Sequence, residues 1–451
     1  MKLIEVIKNA FRVGELRKKI LMTLLLVVIF RIGCFIPVPG LTDSALSSLS
    51  GNGLFRFMDL LSGGAFQSVS LFALGISPYI NASIIMQLLT VAIPALERLQ
   101  KEGEEGRKKI TQATRYVSIG LALFQSIMLY FNIQGSTINL FADAGEFDLL
   151  TFLMIVAAFT AGTTVLMWLG EKITEVGIGN GISMLIFAGI VANAPSAIQT
   201  LWNYMFGSNV GLAAGDRLFN SRILCIVAVL VILLVFLAVI LAVVWMEGGE
   251  RRIPVQYAKR VVGRKIYGGQ NTHIPLKVNS SGVLPIIFAM SLLQFPATIA
   301  AFVDSDGSAK VSKFINEFSV GNTWGYVILY AVLIVLFTFF YNIVYFDPND
   351  IANNLKKNGG FVPGLRPGAP TSDFIRRSST RITWFGAFFL AILAVFPTVI
   401  QIITGYFSDA IGNVNLWFGG TTVLILVGVA LETVRQLEAQ LLMRNYKGFL
   451  D

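Results

Sequence analysis

Apolar runs recur along the whole of this chain, about ten of them near the length of roughly 20 residues that an α-helix needs to cross a bilayer core. They lie near residues 20–38, 71–93, 116–133, 149–169, 182–202, 222–246, 281–303, 323–346, 382–404 and 414–434. Of 451 residues, 55% are hydrophobic and 14% charged, against roughly 25% charged in an ordinary soluble domain. The expected fold class is an all-α polytopic membrane protein. Its loops leave little length for a separate catalytic domain.

Charge sets the orientation, because Lys and Arg concentrate in short cytoplasmic loops. Most of the 35 Lys and Arg fall in residues 1–19, just before residue 116, in 247–278, in 347–381 and in the tail. The intervening loops carry only Arg56, Arg217, Arg222, Lys310 and Lys313. An even number of spans with both termini cytoplasmic fits this alternation. No small-residue cleavage pattern comes after the first cations, so the N-terminus reads as retained. Residues 1–19 read as an amphipathic segment, with Leu3, Ile4, Ile7 and Phe11 set to rest on the inner membrane face. Residues 20–202 and 203–434 then form two halves of five spans, and 435–451 a cytoplasmic tail. An odd number of spans per half makes the halves inverted repeats. Span two carries Gly75 and Pro78, and its counterpart, span seven, carries Gly282, Pro285 and Pro296. Interrupted segments at matching positions point to a transport path between repeats, although Gly and Pro are also commoner in membrane helices generally.

Residues 51–94 stand apart from the other apolar stretches. Leu54 to Ala65 is apolar, is bracketed by Gly51, Gly53, Gly63 and Gly64, and at about 1.5 Å rise per residue is too short to cross. The stretch after it is long enough, yet it carries Ser77, Asn81, Ser83, Gln87 and Thr90, as a helix lining a path would. Residues 222–246 and 327–340 are nearly unbroken hydrocarbon and are expected to face lipid.

The chemistry of most pumps and carriers is missing. Ion-coupled transport places titratable groups inside the membrane, and here the middles of the spans hold almost none. Arg31 is the main exception, read as packing or capping its helix; Glu171, Lys172 and Glu432 lie at cytoplasmic ends. Cys34 and Cys225 fall within spans and His273 in a loop, so no metal site, disulfide framework or cofactor is expected. No phosphate-cradling loop or paired nucleophile and base is present, and the chain does not read as an enzyme. Ile76 and Ile80 share one helix face, as do Ile182 and Ile186. Such side chains can gate a pore by dewetting, but isoleucine pairs are common in membrane helices, and spacing alone favours core or lipid-facing packing.

Two long cytoplasmic loops are basic. One carries Arg251, Arg252, Lys259, Arg260, Arg264 and Lys265 among Val, Ile and Tyr, in a pattern that can form a hairpin. The other presents Arg366 on a tip stiffened by Pro363, Pro367 and Pro370. Clustered cations reward binding of phosphate. An acidic partner, ribosomal RNA or a peripheral motor, is therefore expected there.

The stretches FRIGCFIPVPG, LFALGISPYINASIIMQLLTV, EGRKKITQATRY, MWLGEKITEVGIGNGISMLIFAGIV, GERRIPVQYAKR, THIPLKVNSSGVLPIIFA, ANNLKKNGGFVPGLRPG and FGGTTVLILVGVALET closely resemble the SecY family, the central subunit of the bacterial protein-conducting channel. The resemblance implies a plug helix from Leu54 to about Gln67, including Phe55, Phe57, Met58, Leu60, Leu61, Gly63 and Gly64. It implies a pore ring of Ile76, Ile80, Ile182, Ile186, Ile287 and Ile425, and a lateral gate at Asn81 and Phe295. Docking of the SecA ATPase or the ribosome falls to Arg251, Arg252, Arg264, Lys265 and Arg366. Lys265 keeps the charge where the family carries arginine, without its bidentate fork. Further implied partners are SecE and SecG, signal sequences, unfolded preproteins and membrane lipid. The implied location is the bacterial plasma (inner) membrane. The alternative function is an inverted-repeat secondary transporter for a small solute, which would need a midplane polar site.

Overall fold

A computed structural model describes residues 3–41, 59, 62–133, 148–196, 198–199, 202, 222–257, 260–262, 265–267, 271–279, 282–303, 318, 323–407 and 420–447. The helices in chain order are α1 (Leu3–Arg12), α2 (Gly14–Gly33), α3 (Ser77–Ala92), α4 (Pro94–Lys101), α5 (Glu104–Ile133), α6 (Leu149–Val176), α7 (Gly181–Ala192), α8 (Arg222–Gly248), α9 (Leu284–Val303), α10 (Trp324–Tyr345), α11 (Pro348–Lys357), α12 (Ala369–Phe407) and α13 (Gly420–Lys447). Each of the ten apolar runs overlaps one of them. Among the described residues, four stretches are long and apolar enough to cross a membrane alone: Leu149–Val176, Val229–Gly248, Trp324–Lys357 and Ala369–Ile403. The pair α3 and α4, bent by 99°, makes a fifth candidate. The bend falls where Ile93 is extended (φ −106°, ψ 113°) ahead of Pro94, because the proline ring disfavours a helical residue before it.

The chain forms two compact units, one of residues 1–229, 290–326 and 429–451, the other of 230–289 and 327–428. In the first, a buried cluster joins Phe66, Val69, Ala73 and Leu74 to Leu129, Tyr130 and Ile133 of α5 and to Ile155, Val156 and Phe159 of α6. Asp148 caps α6 by accepting from the N–H groups of Leu150 and Thr151 at 3.0 and 3.2 Å, which satisfies two of the donors left unpaired at a helix start. At the other end, α1 buries Ala10 against Leu16, Ile178 and Leu437, while Phe11 faces outward.

In the second unit, Leu230, Leu234, Leu237, Leu241 and Trp245 form an exposed apolar stripe along α8, as a lipid-facing helix should. The other hydrocarbon run differs from expectation. In α10, Ile328, Val332 and Leu336 are exposed, but Tyr330, Ile334, Phe337 and Tyr341 are buried. A helix period turns only one side of an apolar sequence outward, and packing takes the other.

Beside the helices lie two small sheets, formed by the two long basic loops. Strand β1 (Glu250–Tyr257) pairs antiparallel with β4 (Asn271–Lys277) and with β5 (Gly360–Phe361), giving the order β4-β1-β5. Between them β2 (Arg260–Val262) pairs with β3 (Lys265–Tyr267). The expected hairpin is therefore present, and β5 comes from the second basic loop. Ile253, Val255 and Leu276 of the sheet share a core with Leu355 of α11, Val362 and Ile375 of α12. The two loops fold as one module.

Candidate functional site

Helix α3 starts with Ile76 at its cap, and Pro78 sits in the first turn, where a missing N–H leaves no bond unmade. Ile76 and Ile80 are both buried. Helix α7 starts at a tight turn that Asn180 caps, its Oδ1 accepting from Ile182 and Ser183 N–H at 3.1 and 3.4 Å. Ile186 is buried, and Ile182 is half-buried against Gly170 of α6. In the second unit Ile287 of α9 and Ile425 of α13 are buried as well. Five of these six branched, neutral side chains thus sit out of water within their own units, and Ile182 is partly covered. None can titrate or hold an ion, so what such residues can do is exclude water.

Of the plug positions, Leu54, Phe55, Phe57, Met58, Leu60 and Leu61 lie outside the described residues. Gly63 and Gly64 are described, with φ of +71° and +88°, a region that favours glycine. Around them the chain is wound tightly. The Gly64 N–H donates to Asp59 O at 3.0 Å, the Gln67 N–H to Asp59 Oδ1 at 3.0 Å, and the Ser62 hydroxyl to Asp59 O at 3.1 Å. Arg31 does more than pack its own helix: its Nη1 donates to Gly63 O at 2.5 Å.

At the gate positions, Asn81 is half-buried on α3. Phe295 lies in α9, its side chain outside the described set. Phe288 of the same helix meets Tyr341 and Phe337 of α10 at ring distances of 5.1 and 6.1 Å.

The docking cations divide. Arg251 and Arg252 start β1 and are exposed. Arg252 is paired with Glu250, its Nη2 lying 2.6 Å from Oε1. Arg264 lies outside the described residues; Lys265 opens β3, its side chain not described. Arg366 is exposed on a turn whose carbonyl accepts from Thr371 Oγ1 at 2.8 Å, and Leu365 N–H closes on Val362 O at 3.0 Å. The proline-stiffened tip is thus also hydrogen-bonded.

Sequence reading missed the root of the hairpin. Asn279, buried, donates from Nδ2 to Glu247 Oε1 at 2.6 Å and to Gly282 O at 3.0 Å, tying the end of α8 to the entry of α9. The one signal was an acidic residue at the end of an otherwise apolar run, which reads as a loop charge until its partner is seen.

The SecY family model matches residues 70–434 of this chain. The protein translocase subunit SecY of Streptomyces galbus is 43% identical over 452 residues, covering 98% of each chain. The chain belongs to the SecY family. Other SecY relatives include those of Streptomyces coelicolor, 44% identical, and Mycobacterium tuberculosis, 42% identical, again over 98% of each chain. Among solved structures, a SecY whose plug domain stabilises the closed state of the channel and maintains a membrane seal aligns at a TM-score of 0.62. Sec61 in the canine ribosome–channel complex aligns at 0.58. Both are 20% identical and cover 94% of this chain and 92% of theirs, so they show that the chain has the SecY fold, a multi-pass membrane architecture.

Proposed function

We propose that this chain is a passive protein-conducting channel that moves unfolded secretory polypeptides across the bacterial plasma membrane and releases hydrophobic segments into lipid. The observation that carries this is identity of 43–44% to SecY translocase subunits across 98% of the chain. The isoleucines support it, five of the six being buried. A chain in transit has no fixed shape, so a selective polar site would be useless to it, whereas Ile76, Ile80, Ile182, Ile186, Ile287 and Ile425 can seal around any side chain and shut out ions by dewetting. Residues 54–67 act as the plug. Asn81 and Phe295 mark the lateral gate, where an apolar signal segment shifts the closed–open balance by binding one state better.

Such a channel does no work of its own. Energy comes from SecA, from the ribosome or from the membrane potential, and the cations of the paired cytoplasmic loops, Arg251, Arg264, Lys265 and Arg366 foremost, are their docking surface. SecE and SecG complete the assembly, and both termini face the cytoplasm. The test uses the chain purified with its copurifying subunits, in vesicles supplied with SecA and ATP. A signal-bearing preprotein becomes protease-protected, and protection disappears when the apolar core of the signal is made polar. No protection here, in vesicles where the Streptomyces coelicolor SecY works, would overturn the proposal.

A further inference from the structure

We propose that Arg31 is the latch of the plug: a positioning residue that holds the segment closed by donating to the Gly63 carbonyl. The inference rests on the reading of residues 54–67 as the plug.

A cation inside a span is costly, and it marks a functional residue unless its partner accounts for it. Arg31 is half-buried in α2, its guanidinium 4.7 Å from the centre of the Phe35 ring. Its acceptor is a backbone carbonyl 32 residues away, at 2.5 Å. A carbonyl in another segment is a partner that leaves when that segment leaves, unlike a carboxylate on a packed helix.

The site is built to bring that carbonyl in. Gly63 has φ +71°, and a Cβ there would meet Gly189 Cα of α7 at 3.0 Å. Two glycines therefore let residue 63 lie against α7 while its oxygen points to Arg31. One helical turn on from Arg31, Cys34 Sγ lies 3.5 Å from Ser62 O, so α2 grips consecutive peptide groups.

Beyond residue 64 the chain is fixed. The Val38 N–H donates to Val69 O at 3.0 Å and the Leu71 N–H to Ile36 O at 2.9 Å, and Phe66 and Val69 are buried in the main cluster of the first unit. Arg31 holds the chain at that boundary.

Arg31→Gln and Arg31→Lys, in a Cys225→Ser background, are reconstituted in vesicles and their halide leak is measured beside thermal unfolding. The Gln variant leaks several-fold more than the parent with a similar melting temperature and accepts weaker signal sequences. The Lys variant, which keeps a cationic donor, falls between. A third protein adds Ser62→Cys to Arg31→Gln, and a short bifunctional thiol reagent ties residue 62 to Cys34. The tether returns the leak to the parent value. A parental leak in Arg31→Gln, or a leak that persists after tethering, overturns the latch. Deletion of residues 54–61 separates the two readings: a leaking deletion beside a tight Arg31→Gln rejects the latch alone, while a tight deletion rejects the plug itself.

Discussion

Thr23 shows how single side chains hold this fold together. Its hydroxyl donates to Lys19 O at 2.9 Å and accepts from the Ile178 N–H at 3.1 Å, so the first span pins the turn between α6 and α7. Thr23→Val keeps the shape but leaves a buried amide unpaired, a loss of about 1–3 kcal/mol. It should lower the melting temperature in detergent, while Thr23→Ser should not. The same turn depends on Gly181, whose Cβ would lie 1.8 Å from Gly170 O. Gly181→Ala should destabilise by about 1–3 kcal/mol through overpacking, checked by the same melt. The connection between the apolar runs near 149–169 and 182–202 was plain in the sequence from where those runs end. The identity of its partners was not, since Thr23 lies far from it along the chain. Arg31 was legible as an exception and illegible as a contact for the same reason.

At the scale of elements, each of the four stretches long and apolar enough to cross a membrane, and the bent pair α3 and α4, falls on a hydrophobic run read from the sequence, because period and length are local properties. The module of the two basic loops was half legible. Basic residues interleaved with Val, Ile and Tyr announced the hairpin, but the two-residue β5 has too little pattern to announce itself, and only its pairing with Gln256 and Tyr257 reveals it. Because the two loops share a core, a change in that core should be felt at the docking surface. Ile375→Ala removes a fully buried side chain from it and should cost about 2–5 kcal/mol. It should weaken SecA or ribosome binding although no charge is touched, as measured by co-sedimentation with the vesicles. Replacing Arg264, Lys265 and Arg366 with glutamine should weaken the same binding with the melt unchanged. For the gate, cysteines at Asn81 and Phe295 should cross-link on oxidation and block export, and export should resume on reduction; free export through the cross-linked channel would remove these residues from the gate.

For the whole molecule, composition settled the membrane class, and the near absence of titratable groups from the middles of the spans argued against ion-coupled chemistry. Neither could distinguish a pore ring from ordinary packing, because Ile76, Ile80, Ile182 and Ile186 look alike in either role. The family likeness implies their place in a ring, and the burial of Ile76, Ile80 and Ile186 is compatible with the dry seal proposed above. A passive channel depends on that seal. Ile80, Ile186 and Ile287 are to be replaced together by serine, and ion conductance across vesicles holding the intact assembly measured alongside export of preproteins with weakened signals. A translocation channel should leak several-fold more and accept those signals. Unaltered leak and unaltered signal selection would contradict a channel sealed by these isoleucines.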